Sequence, residues 1–191
     1  DYLSIIDQNS ESLQQIINDV LDISKLETHQ LVITKKRFEI SAVLGELEIV
    51  FRNKIIVLGK DHVKLSHQLP AQPVWLNTDK IRLIQIFTNL LNNSVKFTNH
   101  GEISFGFSGI FGGKIGFFVK DTGIGIKSEH RSTVFERFRQ VDNSLTRLYG
   151  GAGLGLAIVK NLIGLLGGEI DLESEEGKGT TFIFFLPLDD Q

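Results

Sequence analysis

"GEISFGFSGIFGGKIGFFVKDTGIGI", residues 101–126, holds two runs in which apolar side chains alternate with small or polar ones. Ile103, Phe105 and Phe107 make the first run; Ile115, Phe117 and Val119 make the second. A period of two is that of a strand with one buried face. Gly112 and Gly113 stand between the runs and suit a hairpin turn. At the end of the second run comes a carboxylate, Asp121, followed by Gly123 and Gly125.

On the N-terminal side the period changes. Residues 2–27 carry Ile6, Leu13, Ile16, Val20 and Ile23 at helical spacing, widened by Ile17 and Leu21, with no Gly or Pro. So broad an apolar face either packs on its own domain or takes a partner helix. "LVITKKRFEI" (31–40) and "HVKLSHQL" (62–69) read as strands, the latter ended by Pro70. Ser41 is placed to cap a helix through about Leu58, and Asn77 or Thr78 one over 79–97, with Asp79 in its first turn. On the C-terminal side, residues 122–152 are polar and glycine-punctuated, too long for an ordinary connection. A helix restarts near Gly153 and stops at Gly167-Gly168. Two last strands, "GEIDLES" and "TTFIFFLPL", flank the turn "EEGKG". Strands that come as hairpins among helices predict an α+β fold: a mixed, mostly antiparallel sheet with helices on one face, not a doubly wound parallel sheet.

Composition narrows the function. The 191 residues, 41 % hydrophobic and 23 % charged, are those of a globular chain. A net charge of −3 points away from nucleic acid and anionic membrane. With no Cys, neither a disulfide framework nor a thiolate metal site is available. No 18-residue apolar stretch or signal peptide is visible. The chain has no Met and begins with Asp, so it reads as a piece of a cytoplasmic protein that meets a membrane, if at all, through regions outside this piece.

Three features carry chemistry. Asn89, Asn93 and Lys96, at i, i+4 and i+7, share a helix face. Asn carbonyl oxygens suit Mg²⁺ and Lys suits phosphate, although a solvated face explains the same spacing. Asp121, ionised, only accepts hydrogen bonds and so matches the exocyclic amine of a purine, while D-x-G is also common in plain turns. Gly150, Gly151, Gly153 and Gly155 run into a helix start, where backbone N–H groups and the helix dipole favour phosphate; a flexible linker is the bland alternative. The run lacks G-K-[ST] and is no Walker loop. Taken in order, the three suggest a nucleoside triphosphate with Mg²⁺ held under a lid.

These segments resemble the boxes of the sensor histidine kinase ATP-binding domain over about residues 35–188. "NLLNNSVKFT" (89–98) is similar to its N box, "DTGIGI" (121–126) to its first glycine box, "VFERF" (134–138) to its F box and "GGAGLGLAI" (150–158) to its second glycine box. "GKGTTFIFFLPL" (177–188) resembles its last hairpin, and "VLDISKLE" (20–27) the end of the second dimerisation helix. Ala152 stands where Thr is usual. The resemblance implies a Bergerat-type two-layer α/β sandwich over 29–191, with an ATP lid at about 127–152, preceded by a dimerisation-domain helix over 1–28. It implies Mg²⁺ on Asn93, Asn89 near metal or phosphate, Lys96 on phosphate and Phe97 by the adenine. Asp121 would accept from adenine N6, with Gly123 and Gly125 admitting the base and Ile126 beside them. Phe135 and Phe138 would anchor the lid, and Arg137 or Arg139 would reach the γ-phosphate or lie in solvent. Gly151, Gly153, Leu154 and Gly155 would cradle phosphate, and Thr180 would reach adenine through water.

The implied reaction is transfer of the ATP γ-phosphoryl group to a His and then to a response-regulator Asp. The implied partners are the chain's own dimerisation domain, a receiver domain and a second copy in the full-length protein, this piece alone being a monomer. None of His29, His62, His67, His100 and His130 lies in an H-E or H-D context, so the acceptor is expected elsewhere. Hydrolases of this fold, such as DNA gyrase, place a Glu four residues before the metal Asn. Here that position is Asn89, which cannot act as a base. A non-catalytic nucleotide-binding module is the remaining alternative.

Overall fold

The computed structural model describes residues 2–28, 30–136 and 153–188. Their order is α1 (Tyr2–Glu27), β1 (Lys36–Glu39), α2 (Ile40–Val57), β2 (Lys64–Gln68), β3 (Trp75–Thr78), α3 (Lys80–Phe97), β4 (Glu102–Phe111), β5 (Lys114–Asp121), α4 (Gly155–Leu165), β6 (Glu169–Glu175) and β7 (Gly179–Pro187), with a single 3₁₀ turn at Ser128–His130. Five strands form one sheet in the order β2-β4-β5-β7-β6. Only the β2–β4 pair is parallel.

The alternation at 101–126 closes as a hairpin: Gly112 (φ 56°) and Gly113 (φ 77°) both take positive φ, the requirement of a type I′ turn. Its register puts the apolar residues in cross-strand rows on one face. Phe105, Val119, Phe182 and Leu172 form one row, Phe117, Phe184 and Ile170 the next, and Ile115 pairs with Leu186. Three helices cover that face with the apolar residues their spacing dictates: Val43, Leu44, Leu47 and Phe51 of α2, Leu83, Ile86, Phe87, Leu90 and Leu91 of α3, and Ile158, Val159, Leu162 and Ile163 of α4, all buried. Phe87 stands at the junction, its ring 6.0, 5.6 and 5.3 Å from Phe105, Phe117 and Phe184 of three strands. The opposite face carries the partly exposed Phe118, Ile183 and Phe185. The result is a two-layer α/β sandwich, as the hairpin pattern predicts.

The end of the core-facing surface is polar. The last row runs Ile103, Asp121, Thr180, Ser174 across β4, β5, β7 and β6. A carboxylate and two hydroxyls thus continue the plane of the apolar core at one edge.

Local expectations fail at three places. The strand expected over 31–40 keeps only β1, because residues 31–35 join no ladder. It pairs with β3, an element not expected, in a separate two-stranded antiparallel sheet. Asn77 and Thr78 lie in β3, so neither caps α3; Asp79 is the cap, accepting from Ile81 N (3.0 Å) and Arg82 N (3.2 Å). Its other oxygen accepts from Thr34 N (2.9 Å), tying the N-terminal segment to the helix start. Ser41 sits inside α2, whose N-cap is Glu39 without a side-chain cap.

At its C-terminal end α1 packs on α4, where Ile23 is buried and Leu26 partly so. Asp22 accepts from Gln85 Nε2 of α3 at 2.6 Å. Farther up, Leu13, Ile17, Val20 and Leu21 remain 59, 52, 48 and 51 % exposed. No described helix is long and apolar enough to cross a membrane.

Candidate functional site

Asp121 ends β5 in the polar row and is only 6 % exposed. Oδ1 accepts from Gly123 N–H at 3.0 Å, Oδ2 from the Ser94 hydroxyl at 3.0 Å, and the carboxylate also takes the Thr180 backbone N–H. Burial pushes its pKa above the usual Asp range, against the pull of these three donors. Such a group gains from one more donor that arrives without water.

Beside it, Ser174 organises the sheet edge. Its hydroxyl accepts from Ile126 N–H (2.8 Å), donates to Gly179 O (2.9 Å) and lies 2.9 Å from Thr180 Oγ1. Since Ser174 has one proton and gives it to Gly179, Thr180 is the donor of that pair. Thr180 Oγ1 then has only lone pairs to offer a bound molecule.

Three glycines lock this corner by close approach. A Cβ on Gly123 would stand 2.5 Å from Phe97 O. On Gly125 (φ +67°) it would stand 2.0 Å from Glu175 O, and on Gly179 (φ +115°) 2.0 Å from Asp121 O. Gly123 and Gly125 thus let the loop after Asp121 thread between the end of α3 and the β6–β7 turn. Ile124 N–H donates to Phe97 O (3.3 Å) and Gly177 N–H to Ile124 O (2.7 Å).

Helix α3 supplies the next wall. Asn89, 8 % exposed, has a buried Nδ2 with no partner among the described residues. Its Cγ is 3.9 Å from the place a Cβ on Gly155 would take, so it faces the start of α4. Asn93 and Lys96 are half-buried on the following turns, and Lys96 Nζ lies 4.7 Å over the Phe97 ring. Burial lowers the Lys96 pKa. Asn92 turns away and accepts from Lys54 Nζ at 2.7 Å.

At the N-terminus of α4, Leu154 is the N-cap, buried and without a side-chain cap bond, so the N-cap position itself brings no hydroxyl or carboxylate to the first-turn N–H groups. Gly153 before it takes φ +69°. Past the 3₁₀ turn, Phe135 packs edge-on to Phe182 at 6.2 Å, with Lys160 Nζ 5.5 Å over its ring.

Asn89, Asn93, Lys96, Phe97, Asp121, Gly123, Gly125, Ile126, Gly153, Leu154, Gly155 and Thr180 belong to three neighbouring segments: the last turns of α3, the polar sheet edge with its loop, and the start of α4. Arg137, Phe138, Arg139 and Gly151 lie outside the described residues, as does His29. Ser94 and Ser174 were not anticipated. Ser94 left a signal: it falls on the apolar stripe of α3 with Leu90, Leu91 and Val95, and a hydroxyl buried there needs a partner.

The donor set fits a magnesium–nucleotide complex. The described residues contain no group of three or more His, Cys, Asp and Glu that would cage an ion. Mg²⁺ usually takes one or two protein oxygens and completes its shell with water and phosphate. The buried, unpartnered Asn89 Nδ2 and the uncapped α4 start both call for acceptor oxygens of the phosphate kind.

Fold and site together define an ATP-binding domain. Residues 78–190 match the family described as histidine kinase-, DNA gyrase B- and HSP90-like ATPase, and the chain belongs to that family. It is 42 % identical to hybrid signal transduction histidine kinase L of Dictyostelium discoideum over its whole length, which is 12 % of that protein. It is 37 % identical to the autoinducer 2 sensor kinase/phosphatase LuxQ of Vibrio parahaemolyticus, over 99 % of this chain and 22 % of LuxQ. Among solved structures, full-length ShkA in complex with AMPPNP superposes with a TM-score of 0.82 at 30 % identity, covering 97 % of this chain and 38 % of ShkA. The chain therefore spans less than a quarter of these two curated relatives.

Proposed function

We propose that the chain is the ATP-binding catalytic part of a sensor histidine kinase. It would bind Mg-ATP and present the γ-phosphoryl group to a His on a dimerisation domain, for relay to a response-regulator Asp. The observation that carries this reading is the buried Asp121 carboxylate, held by Ser94 and Gly123 in one corner with the amide face of α3 and the uncapped start of α4. The adenine amine would donate to Asp121, and Thr180 would accept from a bridging water. Phosphate oxygens would take the first-turn N–H groups of α4, Asn89 Nδ2 and the Lys96 ammonium. Asn93 would hold Mg²⁺, which when bound offsets triphosphate charge. Arg137 or Arg139 would supply charge at the γ-phosphate. The AMPPNP carried by ShkA, the relative at 30 % identity, supports a nucleotide at this place.

Hydrolysis is the poorer reading. Asn89 occupies the position from which a Glu would activate water, and an amide cannot act as a base. Residues 1–28 would belong to the dimerisation domain and 29–191 to the catalytic domain, and the chain would then be cytoplasmic. Leu13, Ile17, Val20 and Leu21, exposed along α1, support a missing helical partner and a homodimeric parent.

The test is incubation with γ-labelled ATP, alone and with a separate dimerisation domain whose His is intact. The expected result is ATP binding without self-labelling, and acid-labile label on the added domain. Label on His29, His62, His67, His100 or His130 of this chain would misplace the acceptor. Rapid phosphate release with no labelled protein would move the chain to the hydrolases.

A further inference from the structure

The last four carbonyls of a helix have no partner within it. In α3, which carries Asn89, Asn93 and Lys96, all four are accounted for. Ser94 O accepts from Thr98 N–H (3.0 Å) and Phe97 O from Ile124 N–H (3.3 Å). The two between them, Val95 O and Lys96 O, accept from one side chain on another element: Lys60 Nζ, at 2.7 and 3.4 Å. The same ammonium donates to Thr98 O at 3.0 Å, so its three protons serve three carbonyls at the end of the helix.

Lys60 is delivered there by the way α2 ends. Gly59 takes φ +66°, with Gly59 N–H bonded to Ile56 O and Lys60 N–H to Ile55 O, both at 2.9 Å. This is the Schellman pairing, and it turns the chain sharply as the helix stops. Val63 N–H then holds Lys60 O at 2.8 Å. The residue is thus fixed on both sides and half-buried, and it sets a positive charge at the negative end of the α3 dipole.

We propose that Lys60 is a positioning residue for the nucleotide. By holding Val95 O, Lys96 O and Thr98 O it fixes the last turn of α3. That turn sets the direction of Lys96 and the place of Phe97 O, on which the Gly123–Ile124 loop rests. The inference depends on the reading of these residues as the ATP site. A helix cap that only stabilised would lower the unfolding temperature and leave the affinity of the folded protein alone.

The experiment measures Mg-ATP affinity by calorimetry for the parent chain, Asp121→Ala, Lys60→Met, Lys60→Arg and Val43→Ala, at a temperature where unfolding scans show every variant folded. Val43→Ala is a core deletion in α2 away from the site and controls for lost stability. Displacing groups that position a ligand weakens its use steeply, so Lys60→Met should lose roughly 10-fold or more in affinity. Lys60→Arg keeps charge and donors and should stay within about 3-fold of the parent, as should Val43→Ala. Lys60→Met binding as tightly as the parent, with Asp121→Ala impaired, would overturn the positioning role and leave the ATP site standing. Equal losses in Lys60→Met and Val43→Ala would overturn it too. A parent that binds no Mg-ATP would sink the site and this inference together.

Discussion

At the scale of the residue, Asp121 sets a conflict between folding and binding. Its pKa is raised in the native state, so the folded protein holds the proton more tightly than the unfolded chain does. The stability linked to this group is therefore fully present below the ordinary Asp range and lost as pH rises through the raised value. At neutral pH a buried charge is being maintained. Asp121→Asn keeps an acceptor for Gly123 N–H, and the Ser94 hydroxyl can turn to accept from the new amide. The free variant should be as stable as the parent at pH 7, or slightly more so. Its ATP affinity should fall roughly 10- to 150-fold, the worth of a charge-assisted hydrogen bond of ~1.5–3 kcal/mol. In the parent, affinity should also decline on acidification, at a pH above that of ordinary carboxylates, and Asp121→Asn should lose that dependence. Unfolding scans and calorimetry across pH check both; a variant that is less stable yet binds normally contradicts the assignment. Asn93 allows a second test. If its oxygen holds Mg²⁺, Asn93→Ala should cost more affinity with Mg²⁺ than in EDTA, and equal losses would remove it from the metal.

At the scale of the element, α3 depends on what happens at its ends. Asp79 caps its start and also holds Thr34 N. Asp79→Ala should cost about 0.5–2 kcal/mol, the worth of such a cap, read as a lower denaturation midpoint with unchanged slope. ATP affinity should hold, because the site lies toward the other end of the helix. The apolar period made α3 legible in the sequence, as it did α1, α2 and the hairpins. The cap was not, because Asn77, Thr78 and Asp79 all have capping chemistry and the choice among them was made by β3. That strand has four residues, with Trp75 exposed and Leu76 buried, too short for a period to stand out. In the site, Asn89, Asn93, Lys96, Asp121 and the glycines were visible by type and spacing, whereas Phe97, Ile126, Leu154 and Thr180 came only with the family resemblance. Those that hold them were harder to find: Ser94, Ser174 and Lys60 act across 27, 48 and 35 residues of chain, on Asp121, Ile126 and Val95, and even where Ser94 stands out on an apolar stripe no local pattern names its partner.

At the scale of the whole molecule, core and candidate site are successive rows of one sheet face, so the apolar layer that folds the domain also sets the floor of the candidate nucleotide corner. Helix α1 stands apart from that arrangement. Among its described side chains, Ile23 and part of Leu26 join the core, while Leu13, Ile17, Val20 and Leu21 stay half-exposed. Removing residues 1–20 should therefore leave the sandwich folded and its Mg-ATP affinity within about 3-fold of the intact chain, since burial rather than helix propensity carries most helical stability. The truncated chain should also elute as a sharper species in sizing experiments, having lost Leu13, Ile17 and Val20. A large loss of affinity would mean that α1 shapes the site.

The type I′ turn at Gly112-Gly113 lies at the opposite end of β5 from Asp121, about 24 Å away at the usual rise of an antiparallel strand. The chain has no native thiol to compete with an introduced one. A dye attached through Ile110→Cys, beside that turn and already half in solvent, would sit on the rigid sheet and far from any ligand. Paired with a second dye through Glu129→Cys, in the 3₁₀ turn that follows the Asp121 loop, it makes a ruler from the far end of the sheet to the candidate site, read by energy transfer as nucleotide is titrated in.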